Sequence, residues 1–109
     1  MDGLMRIDAR TLPVTCALLL LIGGALAHAA DIYKGRDVYE MHCQTCHGID
    51  GSSIEPGTPD FSRGESLFAP DSELVRQLRD GGGMKPAYRG MLSDEELRDV
   101  IAYVRTLQR

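Results

Sequence analysis

The pentapeptide Cys43-Gln44-Thr45-Cys46-His47 constrains the fold more than any other feature of this 109-residue chain. Its two cysteines and the histidine that follows them place two thiols and one imidazole within a short stretch of backbone. A haem requires this set, because two thiols can add across its two vinyl groups while the imidazole binds the iron on the same face. The sequence therefore predicts one covalently attached haem at this motif.

Three other kinds of site use similar residues. A thioredoxin-like redox pair normally follows a strand in a βαβ unit, and the sequence contains no strand pattern of useful length. A structural zinc site needs four ligands, and His42, Cys43, Cys46 and His47 are too crowded in sequence for an ordinary tetrahedral cage. A plain disulfide between the two cysteines stays open as an alternative in an oxidising compartment.

The N-terminal residues have the order of a secretory signal peptide. A weakly basic start precedes an apolar run over residues 17–27 and the small-x-small triplet Ala27-His28-Ala29. We therefore expect residues 1–29 to be a signal peptide cut after Ala29, with a cut after Ala27 as the competing site. A retained membrane anchor is the alternative, but the apolar run is shorter than the ~20 residues of a spanning helix. Export would place residues 30–109 in the periplasm.

The predicted domain, residues 30–109, is near the size at which a single hydrophobic core needs a supplement. A buried porphyrin would supply it, so we expect the haem-free protein to be largely unfolded. The chain has 12 Lys and Arg against 16 Asp and Glu, a formal net charge of −4. This balance argues against nucleic acid and anionic membranes as partners and favours a protein with a basic docking patch.

The apolar periodicity predicts an all-α domain. Helical spacing appears in residues 32–43, in residues 71–80 and after the capping box Ser93-Asp94-Glu95-Glu96, where it runs to Leu107. Residues 48–70 are rich in Gly, Ser and Pro and are predicted to form a loop around a buried cofactor. Gly35 inside the first helix suggests that another backbone crosses closely there, unless the helix begins just after it.

The haem iron needs a sixth ligand, and a methionine thioether paired with histidine is typical of electron transfer. The candidates are Met84, which follows three glycines, Met91, His42 and Lys85. We predict Met84, with Met91 as the alternative, although either methionine could instead fill the core. His42 precedes the first cysteine and is expected to point away from the iron.

The whole of the predicted domain resembles the class I cytochrome c family. The resemblance is carried by Gly35-x-x-x-Tyr39, Cys43-x-x-Cys46-His47, Pro59, Gly-x-Met84 and the segment from Leu92 to Tyr103. It implies a small class I cytochrome c fold, with three to four helices wrapped around one covalently bound haem c.

The resemblance also implies roles for single residues. Gly35 and Tyr39 of the first helix would meet Tyr103 of the last, and the carbonyl of Pro59 would accept a hydrogen bond from His47. In this sequence Lys85 stands between Met84 and Pro86, where small bacterial members commonly place the methionine directly before the proline. That difference keeps Met91 as an alternative ligand, one that could exchange with Met84.

Residues 39–48 and 56–65 are further similar to the cytochrome c-55X group, periplasmic cytochromes associated with denitrification. This resemblance implies a one-electron carrier that serves the nitrite reductase system. The alternatives are a dedicated redox partner in the maturation of the nitrite reductase haem cofactor, or a haem enzyme of the peroxidase kind. We expect an electron-transfer protein rather than an enzyme, working as a monomer that does not insert into the membrane after signal cleavage.

Overall fold

The computed structural model describes residues 28–109, and in this part of the chain the backbone forms helices and no strands. The signal peptide prediction falls almost entirely outside these residues. The elements in chain order are α1 (Ile32–His42), α2 (Gln44–His47), the 3-10 helix Phe61–Arg63, α3 (Asp71–Asp80) and α4 (Asp94–Arg105). The all-α prediction is confirmed. Within residues 28–109 no helix has the length and apolarity needed to cross a membrane.

Local side-chain hydrogen bonds explain where the helices begin. The carboxylate of Asp31 caps α1 by accepting from the backbone amides of Tyr33 and Lys34. Ser93 and Glu96 form the predicted capping box at the start of α4. The 3-10 helix, in a stretch predicted to be loop only, begins where the Asp60 side chain accepts from the amide of Ser62.

α1 crosses α4 in close contact at Gly35. A β-carbon added to Gly35 would lie 2.0 Å from the carbonyl oxygen of Asp99 and 3.0 Å from Cβ of Tyr103. Beside this contact the rings of Tyr39 and Tyr103 lie 5.4 Å apart, inclined by 58°. The predicted close approach at Gly35 is therefore confirmed. The alternative, that the helix starts after Gly35, is wrong because Gly35 lies inside α1.

The core has two clusters that share α4. The first joins α3 to α4 and holds Leu74, Val75, Tyr88, Leu97 and Ile101. The second joins α1 to α4 and holds Tyr39, Leu67, Val100 and Val104, with Cys43 packed against its edge. Because Cys43 borders the second cluster, the start of the motif is packed against the hydrophobic core.

Candidate functional site

The motif occupies the junction between α1 and α2. The amide of Cys43 still donates to the carbonyl of Tyr39 at 2.9 Å, as in a continuing helix, and the amide of His47 donates to the carbonyl of Cys43 at 3.0 Å. Both cysteines are free thiols, with Cys46 exposed and Cys43 half-buried. Burial, together with the neighbouring Cys46, raises the pKa of Cys43 to about 11, so this side chain is a neutral thiol near pH 7.

The imidazole of His47 is held on two sides. Its Nδ1 lies 3.1 Å from the carbonyl oxygen of Pro59. Its ring stacks on Phe61, with centroids 4.1 Å apart and planes inclined by 12°. Because a carbonyl can only accept, Nδ1 carries the proton and Nε2 keeps a lone pair for a metal. This tautomer and this fixed ring are what an axial iron ligand requires.

The electrostatic surroundings favour the neutral imidazole. Burial lowers the pKa of His47 below its ordinary value. The hydrogen bond to Pro59 opposes this shift, and the positive charge of Lys85 adds to it.

The loop after the motif folds back onto it. The amides of Ile54 and Glu55 donate to the carbonyl of Cys46 at 2.9 and 3.3 Å, and the amide of Phe61 donates to the carbonyl of Gly51 at 2.9 Å. These bonds bring Pro59 and Phe61 to His47 across more than ten residues of chain. The sequence predicted only a loop for this segment, and the segment positions the imidazole of His47.

Met84 sits at the tip of a tight turn in the loop between α3 and α4. Gly82 and Lys85 exchange two backbone hydrogen bonds, of 3.2 and 3.0 Å. Gly83 has φ +60°, as the first central residue of a type II′ turn requires. The side chain of Met84 is 97% exposed and that of Met91 is 63% exposed. Neither methionine fills the core, so that alternative is wrong.

His42, a further candidate for the sixth ligand, is engaged elsewhere. Its ring packs edge-on against the ring of Tyr88, with centroids 5.7 Å apart. The structure thus brings Cys43, Cys46, His47 and Pro59 into one site and turns His42 toward the buried ring of Tyr88.

The residues present fit a covalently attached haem. Two free thiols and an imidazole with an available Nε2 supply the attachment and ligand chemistry. Large apolar side chains in the neighbouring loops are left exposed, with Ile54 at 65% and Phe68 at 94%. Among residues 28–109 there is no cluster of three or more His, Cys, Asp or Glu side chains that could hold a metal ion.

Two contributors to the site were missed by sequence reasoning. The stacking of Phe61 on His47 had no signal beyond the position of Phe61 shortly after Pro59. Tyr88 donates its hydroxyl hydrogen bond to the carbonyl of His42 at 3.2 Å, across 46 positions of sequence. Local periodicity carries no information about a contact of that separation.

Comparison with known proteins agrees with this site. Residues 30–104 match the family described as "Cytochrome C oxidase, cbb3-type, subunit III". The chain is 36% identical over 98 residues to the chloroplastic cytochrome c6 of Chlamydomonas reinhardtii, which covers 85% of this chain and 66% of that protein. It is 30% identical over 100 residues to cytochrome c6 of Synechocystis, which covers 79% and 78% of the two chains.

Two further relatives differ in size and in kind. The cbb3-type cytochrome c oxidase subunit CcoP of Azospirillum brasilense is 27% identical over 113 residues, and the match spans only 38% of that subunit. The solved structure titled "KustC0563 c-type cytochrome" superposes with a TM-score of 0.60 at 25% identity, over 69% of this chain and 98% of that one.

Proposed function

Because the chain belongs to the c-type cytochrome family described as cytochrome C oxidase, cbb3-type, subunit III, and with it to the class I c-type cytochromes, we propose that it is a one-electron carrier whose haem c is attached through Cys43 and Cys46. His47 and Met84 are the proposed axial ligands, with Met91 as the alternative. The observation that carries the proposal is the hydrogen bond from Nδ1 of His47 to Pro59, which leaves Nε2 free to bind iron in a motif that also holds two free thiols.

The residues of the chain have distinct tasks in this proposal. The haem c supplies an iron centre that gains and loses one electron. Pro59 fixes the tautomer of His47 and raises its basicity, and Phe61 keeps the ring from turning. With His47 and Met84 as its protein ligands, the iron would have no open position for a substrate, and the group would serve to pass electrons. This arrangement favours a carrier over a peroxidase-like enzyme.

The proposed compartment is the periplasm, reached through the signal peptide over residues 1–29 and leaving residues 30–109 as the working domain. The proposed partner is the nitrite reductase system. Support for that partner comes from the similarity of residues 39–48 and 56–65 to the cytochrome c-55X group, and the net charge of −4 favours a basic docking site. The match to a cbb3-type oxidase subunit makes such an oxidase the rival partner to test.

Stopped-flow oxidation of the reduced protein separates these partners. We expect rapid, saturable oxidation by a periplasmic haem nitrite reductase, with a second-order rate that falls as salt is raised, because the attraction between opposite charges is screened. Oxidation by a cbb3-type oxidase alone would reject the nitrite reductase assignment. Electron exchange only with proteins that assemble the reductase's haem would assign the chain to maturation instead.

A further inference from the structure

Two tyrosine hydroxyls bracket the haem-attachment motif. Tyr39 donates to the carbonyl of Gly48, the residue directly after His47, at 2.6 Å. Tyr88 donates to the carbonyl of His42, the residue directly before Cys43, at 3.2 Å. The two bonds differ in origin, because Tyr39 belongs to α1 itself whereas Tyr88 belongs to the loop between α3 and α4.

Tyr88 is also the residue around which that loop is organised. Its amide donates to the carbonyl of Leu78 at the end of α3, at 3.0 Å. Its carbonyl accepts from the amides of Met91 and Leu92 at 2.9 and 3.0 Å. The residue is 7% exposed and belongs to the first core cluster. Through Tyr88 the segment that carries both methionines is joined to α3 and to the end of α1.

The hydroxyl of Tyr88 is a permanent donor near neutral pH. Burial raises its pKa above the ordinary value of a tyrosine. The proton therefore stays on the oxygen and remains available to the His42 carbonyl.

We propose that Tyr88 is a positioning residue, whose hydroxyl bond to the His42 carbonyl holds the methionine-bearing loop, residues 81–92, against the end of α1, where Met84 would ligate the haem iron. This inference rests on the proposed function, and it identifies one hydrogen bond that holds the loop in place. Loss of the bond favours an opened loop, in which an external ligand can replace the methionine at the iron.

Imidazole titration of the oxidised holoprotein measures this opening directly. We expect Tyr88→Phe, which keeps the ring, to bind imidazole about fivefold more tightly than the unsubstituted protein, the effect of one neutral hydrogen bond. Tyr39→Phe is the matched control, because it removes a comparable bond on the other side of the motif. It should lower the unfolding temperature and leave the imidazole affinity unchanged.

The outcomes separate this inference from the proposal beneath it. Equal imidazole affinity in Tyr88→Phe and the unsubstituted protein would overturn the role of Tyr88 while leaving the carrier intact. An equal rise in imidazole affinity in both tyrosine variants would also overturn it, because the effect would then reflect a general loosening of the fold. An unsubstituted protein that carries no covalent haem would instead overturn the proposed function and this inference with it.

Discussion

Gly35 of α1 lies against the carbonyl oxygen of Asp99 in α4, leaving no space for a β-carbon between them. Glycine normally weakens a helix interior by about 1 kcal/mol relative to alanine. Here that cost is offset by the close crossing of the two helices, which also seats Tyr39 and Tyr103 against each other. The crossing matters for function because α1 ends at the haem-attachment motif.

Gly35→Ala should therefore destabilise the protein, although alanine is the better helix former. The added methyl would lie 2.0 Å from the Asp99 oxygen, and forcing the helices apart should cost about 1–3 kcal/mol in unfolding free energy. Thermal or urea unfolding measures the loss. Asp37→Ala, on the exposed side of α1, is the control and should change stability by no more than about 0.5 kcal/mol. Equal stability of Gly35→Ala and the unsubstituted protein would contradict the crossing.

The identity of the sixth ligand can be read from the weak sulfur-to-iron absorption band of the oxidised protein. Met84→Ala should abolish this band, and Met91→Ala should retain it. If Met84→Ala keeps the band and only the double variant loses it, the two methionines exchange as ligands. Loss of the band in Met91→Ala alone would assign the ligand to Met91 and refute the preference for Met84.

The type II′ turn that carries Met84 gives a second test of the same loop. Gly83→Ala places a β-carbon at φ +60°, a strain of roughly 1–2 kcal/mol with no clash against neighbouring atoms. We expect a weaker sulfur-to-iron band and tighter binding of external ligands. Gly57→Ala is matched, because its φ of +80° is equally unfavourable and its β-carbon also meets nothing within 4 Å. That control should lose some stability and keep the band unchanged.

Glu73 should contribute to stability in a defined range of pH. Hydrogen bonds from Arg76 and then Gln77 lower its pKa from 4.5 to about 2. A lowered pKa in the folded state stabilises the protein above the unfolded-state pKa, and this contribution is lost as pH falls toward about 2. The difference in unfolding temperature between the unsubstituted protein and Glu73→Gln should therefore shrink from pH 5 to pH 2. Glu55→Gln, in an exposed loop, is the control, and its difference in unfolding temperature should not change in this way. If the difference for Glu73→Gln stayed constant from pH 5 to pH 2, the effect would be contradicted.

Removal of the haem should unfold most of the domain. Cys43→Ala/Cys46→Ala cannot form the thioethers, and residues 30–109 alone are near the lower limit of size for a stable core. Far-UV circular dichroism should show strong loss of helix in this double variant and no cooperative thermal transition. Native helical content with a sharp transition would show that the core holds without its cofactor.

Features set by local interactions were predictable from the sequence. The bounds of α3 at Asp71–Asp80 and the capping box at Ser93 follow from charge order and short-range hydrogen bonds. The crossing at Gly35 was also predicted, because a costly glycine in a helix interior suggests that another backbone packs closely against it. The first helix ends one residue earlier than expected, since Cys43 leaves helical geometry with φ −122°.

Three features set by distant contacts were not predictable. The stacking of Phe61 on His47 depends on the path of a loop whose sequence is rich in Gly, Ser and Pro and has no helical period. The bond from Tyr88 to His42 joins segments that are close only after α1, α3 and α4 have packed. The exposure of both methionines likewise depends on the path of their loop, so the sequence left open the alternative that they fill the core.

The most direct test of the central proposal is intact-protein mass spectrometry of the exported protein, combined with its visible spectrum after acid–organic extraction. We predict the mass of the processed chain plus one haem, which survives extraction, and a reduced spectrum of the c type. A mass equal to the chain alone, lowered only by the two hydrogens of a disulfide between Cys43 and Cys46, would contradict haem attachment and with it the electron-carrier function.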